Sequence, residues 1–230
     1  MVLKTGIIGF DDLVSGGLPD GKSILLSGSP GTGKTIFATQ FIYNGASLFD
    51  EKGLYVTFED NADNLKKQAL LFGWDLDKLE KEGKVRILSV GVRDVKESTV
   101  REIVNLVKLG GYKRLVIDSL SALAINTPNT FGVVTDVTEI FVKRFMYHFL
   151  SDLKNCGATS LLISQSSNGT LSSDGVSEFI CDGIIHIKYE SIGGAFSRYL
   201  TVRKMREIKN NEDIHPLEIN NDGVKIHNLN

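Results

Sequence analysis

Cysteine is nearly absent, with only Cys156 and Cys181 in 230 residues. One bridge would add little framework to so long a chain, and the pair has no metal-ligand spacing. A disulfide scaffold and a zinc module are therefore excluded, and two half-buried free thiols are expected. Proline is also scarce, 4 in all, and no Pro- or Ser-rich linker interrupts the chain, which reads as one domain from 1 to 230. No run approaches the roughly 18 apolar residues of a membrane span. The opening Met1-Val2-Leu3-Lys4-Thr5-Gly6 lacks the basic-then-apolar order of a secretion signal, so the expectations are no membrane partner and a cytoplasmic location. Neither sign of charge dominates. Lys+Arg 26 against Asp+Glu 28 leaves a formal −2, which gives no global field toward nucleic acid or anionic lipid.

Apolar residues and glycine are plentiful. The chain is 42% hydrophobic, enough for one sizeable core. Of its 23 glycines, eight (6, 9, 16, 17, 21, 28, 31 and 33) fall in the first 33 residues, so something there needs backbone without Cβ atoms. Short β-rich runs alternate with amphipathic helical patterns: strands 23–27, 54–58, 85–90, 115–117 and 159–163, and helices 35–48, 61–72, 95–109 and 136–155. That alternation predicts an α/β fold, a mostly parallel sheet flanked by helices. After about Asp182 the pattern changes. Runs 183–189 and 198–203 flank the turn Ile192-Gly193-Gly194-Ala195, and 217–219 and 224–226 flank Asn221-Asp222-Gly223. Both read as antiparallel hairpins, a C-terminal β extension on the parallel core.

Gly28-Ser29-Pro30-Gly31-Thr32-Gly33-Lys34-Thr35 fits the phosphate-loop pattern G-x-x-x-x-G-K-[ST] at every fixed position, between a strand and a helix. Glycines let successive N–H groups converge on phosphate oxygens, and the helix N-terminus adds free donors and partial positive charge. Lys34 supplies a mobile cation for the β- and γ-phosphates, and the Thr35 hydroxyl suits Mg²⁺.

Carboxylates must complete the site. Asp118 ends the buried-strand run from Lys113, the Walker B form, and would hold Mg²⁺ through its water shell; the other reading is a helix N-cap. Glu59 closes strand 54–58 at the carboxyl edge of the sheet, where it could orient or deprotonate water. Glu59-Asp60 is otherwise a solvated pair or a cap for the helix at Asn61. Gln165, ending strand 159–163, could sense the γ-phosphate or be only a polar strand end. Trp74 reads as a packing anchor beyond helix 61–72.

Taken with Thr5-Gly6, Phe10-Asp11, Gly16-Gly17-Leu18-Pro19, Thr57-Phe58-Glu59, Phe72-Gly73-Trp74-Asp75 and Lys204-Met205-Arg206, these motifs resemble the KaiC-like branch of the RecA/RadA ATPases over about residues 4–227. The closest likeness is to single-domain archaeal KaiC-like proteins, also described as RadA paralogues. The resemblance implies a RecA-like core that binds ATP at a subunit interface, Glu59 as the catalytic carboxylate, and Lys204 and Arg206 as fingers reaching a neighbouring subunit's γ-phosphate. Strand alternation would put those two on one face; the alternative is a cationic edge that discourages aggregation. ATP rather than another nucleotide rests on this likeness alone, and a ring, a dimer and a monomer all fit the sequence.

Departures from the family pattern narrow the reading. Glu178-Phe179 stands where KaiC's autokinase half has Ser and Thr, so the chain resembles the ATPase half and autophosphorylation is not expected. Glu207-Ile208-Lys209-Asn210 lacks the Gly and His that usually follow the finger. RadA's N-terminal helical domain and polymerisation linker have no counterpart, which disfavours a recombinase filament. Residues 115–142 and 155–187, spanning the loops that meet DNA in strand-exchange relatives, contain no Lys or Arg, and DNA binding gets much of its affinity from phosphate neutralisation. Two functions stand: a nucleotide-controlled regulatory or signalling ATPase, and a recombination accessory that binds single-stranded DNA or RadA, which the loop charge disfavours.

Overall fold

The computed structural model describes residues 1–91, 94–125, 136–166, 170–190 and 197–228. A lead-in carries β1 (Val2–Leu3), a 3-10 turn (Asp11–Val14) and β2 (Leu18–Pro19). The core follows as β3 (Ser23–Gly28), α1 (Lys34–Leu48), β4 (Gly53–Thr57), α2 (Ala62–Leu70), α3 (Leu76–Lys81), β5 (Val85–Ser89), α4 (Glu97–Gly110) and β6 (Arg114–Asp118). Next come α5 (Leu120–Ile125), α6 (Asp136–Lys154), β7 (Thr159–Gln165), α7 (Ser177–Ile180), β8 (Gly183–Tyr189), β9 (Arg198–Met205), β10 (His215–Asn220) and β11 (Gly223–Ile226).

Nine strands form one sheet in the order β11-β10-β9-β8-β3-β7-β6-β4-β5. The six from β8 to β5 are parallel, and β9, β10 and β11 continue the sheet antiparallel. This is the expected parallel core with an antiparallel extension. The parallel strands read as continuous apolar runs because both faces are covered. On β3, Ile24 and Leu26 join the core beneath α1 with Phe37 and Phe41, while Leu25 joins the opposite core with Phe149 and Leu150 of α6. The turn 192–195 lies outside the described residues, but the strands it would join pair as a hairpin partnership, His186 opposite Thr201 and Lys188 opposite Tyr199.

The expected helix over 61–72 is α2, which ends at Leu70, and a second helix not foreseen from the sequence, α3, starts after the Asp75 cap, whose carboxylate accepts from Lys78 N at 2.9 Å. Trp74 fills the corner between them, buried and stacked on Phe72 at 4.7 Å and on Tyr43 at 5.9 Å. Burying that ring outweighs continuing a helix whose last residue, Leu70, and the one after it, Leu71, are exposed.

The glycine-rich lead-in is a clasp. Asp11 accepts hydrogen bonds from Thr5 N, Thr5 Oγ1 and Gly6 N. The backbone of Ile8 and Gly9 then runs against β11, with Ile226 N donating to Ile8 O at 2.8 Å, and a Cβ on Gly9 would collide with the Ile226 carbonyl. Arg114, at the foot of β6, ties this lead-in to the core. Its fully buried guanidinium donates to Lys4 O, Phe41 O and the Glu51 carboxylate and lies over Phe41 and Phe49. Both cysteines are buried free thiols, and burial pushes Cys181 up to about 12. Among the described residues no helix is long and apolar enough to cross a membrane.

Candidate nucleotide site

The site grows from the carboxyl ends of β3, β4, β6 and β7, neighbours in the sheet. Gly28 ends β3, and the loop that follows enters α1 through Gly33, which has φ +99°. A side chain is excluded at Gly33 on two counts: that backbone conformation, and Ile219 Cδ1 of β10 lying 2.6 Å from where a Cβ would stand. At Gly28 a Cβ would meet Ile187 O of β8 at 2.5 Å and Thr32 Oγ1 at 2.7 Å. Ser29, Pro30 and Gly31 form the exposed tip. Thr32 is buried and donates through Oγ1 to Ser29 O at 2.9 Å, which closes the loop on itself.

Lys34 folds into this cradle. Its ammonium donates to Gly28 O at 2.8 Å and Ser29 O at 2.9 Å. Burial pushes its pKa down, opposed by the charges of Asp118 and Glu59. Next along α1, the Thr35 hydroxyl donates to Asp118 Oδ2 at 3.1 Å across 83 residues of sequence. The same carboxylate oxygen accepts from Tyr55 OH at 2.6 Å. Burial holds the Asp118 carboxyl above the usual carboxylate range, against the two hydroxyl bonds and Lys34. Tyr55, on β4, is fully buried and stays protonated well beyond the ordinary phenol range, chiefly through burial and then the Asp118 charge.

The N-cap alternative for Asp118 does not hold, because its neighbour takes that work: Ala122 N at the start of α5 donates to Ser119 Oγ at 3.3 Å. The Glu59-Asp60 pair likewise divides. Asp60 is the turn residue, accepting from Asn61 N at 2.8 Å and Asn64 Nδ2 at 3.0 Å ahead of α2. Glu59 lies one residue past Phe58, outside β4, exposed, and receives a hydrogen bond from Ser119 Oγ. Phe58 N donates to Asp118 O at 2.7 Å, so the β4 and β6 ends are locked together. Gln165 closes β7 directly opposite Gly28 in register, with its backbone N–H held by Ser121 Oγ at 2.9 Å and its side chain exposed.

Lys204 and Arg206 are not part of this constellation. Lys204 pairs with Ile184, at the amino end of β8, whereas the phosphate loop adjoins Ile187 at the carboxyl end. Lys204 Nζ donates to Cys181 O at 2.7 Å and Glu178 O at 3.3 Å, at the C-terminal end of α7. β9 ends at Met205, so Arg206 sits in the following turn, with Nη1 3.3 Å from Asp182 Oδ1. The two side chains do reach the same segment, on the far edge of the sheet from their own loop.

Sequence reasoning missed Tyr55 and Ser119, which hold the two carboxylates in place. Ser119 could have been found, since it is the small hydroxyl residue immediately after Asp118 and before an apolar helical run. Tyr55 could not, because an aromatic in a buried strand is ordinary core.

Hard oxygen donors are the right chemistry for Mg²⁺. Thr35 Oγ1 and Asp118 supply them one hydrogen bond apart, and no group of three or more His, Cys, Asp or Glu among the described residues could hold a metal without water and phosphate. A glycine-lined loop at a helix N-terminus, with a lysine in its mouth, a metal-compatible Thr–Asp pair and flanking carboxylate, on a mostly parallel sheet, defines a nucleotide-binding P-loop protein of the RecA type. A family model described as the KaiC ATPase matches residues 3–230, and the chain belongs to that family.

Two relatives match nearly end to end: a UPF0273 protein of Methanocaldococcus jannaschii, 33% identical over 98% of this chain and 96% of its own, and one of Thermotoga maritima, 36% identical over 98% and 95%. The circadian clock oscillator protein KaiC of a Nostoc species is 34% identical over 97% of this chain, which spans 44% of that longer protein. Among solved structures, a KaiC-like protein of Pyrococcus horikoshii superposes with TM-score 0.86 at 36% identity, covering 99% of both chains.

Proposed function

We propose that the protein is a Mg²⁺-dependent ATPase of the KaiC-like type whose bound nucleotide sets its self-association or its affinity for a partner. The observation that carries the reading is the hydrogen bond from Thr35 to Asp118, with Ser119 bonded to Glu59 beside it. The Thr35 hydroxyl of α1, the Asp118 carboxylate at the end of β6 and the Glu59 carboxylate just beyond β4 thus share the carboxyl edge of the sheet, which supports a metal pair with a carboxylate beside it. Residues 28–35 would bind the phosphates through backbone N–H groups and Lys34. Thr35 and Asp118 would hold the metal, which when bound neutralises phosphate charge. Glu59, accepting a proton from the attacking water at Oε, is the general base. Gln165, opposite Gly28 in register, would sense the terminal phosphate.

Lys204 and Arg206 fit the role of groups acting on a neighbouring subunit, since they are remote from their own loop and must leave Cys181 and Asp182 to serve it. Assembly would then be part of the catalytic cycle. The absence of Lys and Arg from 115–142 and 155–187 supports a protein or nucleotide signal over a DNA substrate, although 126–135 and 167–169 of those loops lie outside the described residues.

Two variants test the chemistry. Lys34→Ala should abolish nucleotide binding and turnover together. Glu59→Gln should lower turnover about 10²- to 10⁴-fold with nucleotide affinity retained; normal hydrolysis by Glu59→Gln would remove Glu59 as the base. Assays with and without single-stranded DNA at low salt test the accessory reading, for which stimulation and binding are required.

A further inference from the structure

A cleft of about 420 Å³ opens beside the phosphate loop on the sheet face away from α1, between Ser29, Ser166 and Thr170 on one side and His186, Lys188 and Arg203 on the other. Its size is that of a small-molecule site. Its shape comes from an irregularity in the sheet. Ile184 pairs with Lys204 and Ile185 with Val202, which leaves Arg203 as the extra residue of a β-bulge. Bulges re-aim side chains, and this one turns the guanidinium toward the cleft wall that His186 and Lys188 share. Among the described residues no carboxylate pairs with Arg203. Lys188 has one at its margin, Glu190 at 3.8 Å, with both side chains about half exposed. At the rim the guanidinium of Arg198 stacks on Tyr189, 5.4 Å from the ring centre, so the mouth also offers a flat amphipathic surface.

We infer that this cleft is a second anion site, taking the phosphate group of a small phosphorylated ligand on Arg203 and Lys188, separate from the nucleotide in the phosphate loop. The state of His186 agrees with concentrated positive charge: its pKa is pushed down to about 4 by burial and then by Lys188 and Arg203. The groups facing it around the cleft are Lys188, Arg203, Glu190 and Tyr189. A bound phosphate would offset the two cations and raise the imidazole pKa, a response that burial alone cannot give. An occupant would also touch Ser29, whose carbonyl holds Lys34, and so sense or bias the loop.

The test uses inorganic pyrophosphate as probe, titrated calorimetrically at low ionic strength into two samples. One is the wild type saturated with Mg²⁺ and a non-hydrolysable ATP analogue, and the other is Lys34→Ala, whose phosphate loop is disabled. Both should bind one pyrophosphate, with an upward shift of the His186 titration followed by NMR. Arg203→Gln should weaken this binding about ten- to a hundred-fold and Arg203→Lys less, with analogue affinity unchanged. No pyrophosphate binding in either sample, or equal binding by Arg203→Gln, overturns the inference. So does an oligonucleotide that binds through Arg203 where pyrophosphate does not, which would make the cleft a nucleic-acid contact. Failure of the analogue itself to bind the wild type would sink the ATPase reading, and the Lys34→Ala sample would still report on the second site.

Discussion

Asp118 is an acid whose surroundings work against its own charge. Its folded-state pKa is raised by burial, so the folded protein holds that proton more tightly than the unfolded chain. The ionised carboxylate therefore costs stability above the raised pKa, and the cost vanishes as pH falls below the unfolded value. Asp118→Asn keeps an oxygen for Tyr55 OH and removes the charge. Its Tm at neutral pH should equal or exceed that of the wild type, and the gap should close through the carboxylate range in acid, as followed by thermal melts across pH. Its Mg²⁺-dependent hydrolysis should fall about a hundredfold or more. A lower Tm at neutral pH would mean that the hydroxyl bonds outweigh burial. Glu59 and Asp60 show how adjacent carboxylates divide, Asp60 bracketing the entry to α2 and Glu59 accepting a hydrogen bond from Ser119 at the end of β6.

At the level of elements, the strand ends needed support from behind. β6 is fixed at its foot by Arg114, whose guanidinium bonds Glu51, Phe41 O and Lys4 O in full burial. Replacing it removes the donors to Phe41 O and Lys4 O and leaves Glu51 without its partner. Breaking such a pair costs about 3–5 kcal/mol, so Arg114→Met should lower Tm by roughly 6–20 °C for a chain of this size, measurable by calorimetry. A fall of under a few degrees would show that Glu51 simply rehydrates. The elements were legible where periodicity was strong: all six parallel strands and helices α1, α4 and α6 lie within a few residues of their expected bounds. The end of α2 and the anchoring role of Trp74 were legible too, but the short helix α3 was not, because its six residues carry too little periodicity to stand out.

For the whole molecule, the separation of Lys204 and Arg206 from their own phosphate loop bears on assembly. If these residues serve a neighbour, Lys34→Ala and Arg206→Ala proteins should each be inactive alone and regain hydrolysis when mixed, because a mixed interface pairs an intact loop with an intact finger. Failure to complement, with a nucleotide-independent monomer in solution mass measurements, would leave Arg206 as the partner of Asp182 alone. The release from Cys181 and Asp182 that the finger role requires is a contact exchange of a few hydrogen bonds, well within what binding a neighbour's phosphate could offset.

The sequence by itself determined the phosphate loop, the alternation that makes a parallel sheet and the family likeness, because each is a local pattern of spacing that no distant residue can alter. It also marked Asp118 and Glu59 as candidates. Only the tertiary structure supplied their partners, Thr35, Tyr55 and Ser119, 60 to 83 residues away from the carboxylates they bond. The same holds for the scarce and crowded residue types. The two cysteines are buried because the core closes over them, and Gly9 of the lead-in is explained by a backbone, that of β11, more than two hundred residues further along the chain. Contacts between residues far apart in the chain are set by how the sheet is ordered and what must be buried, and neither is written in any one segment.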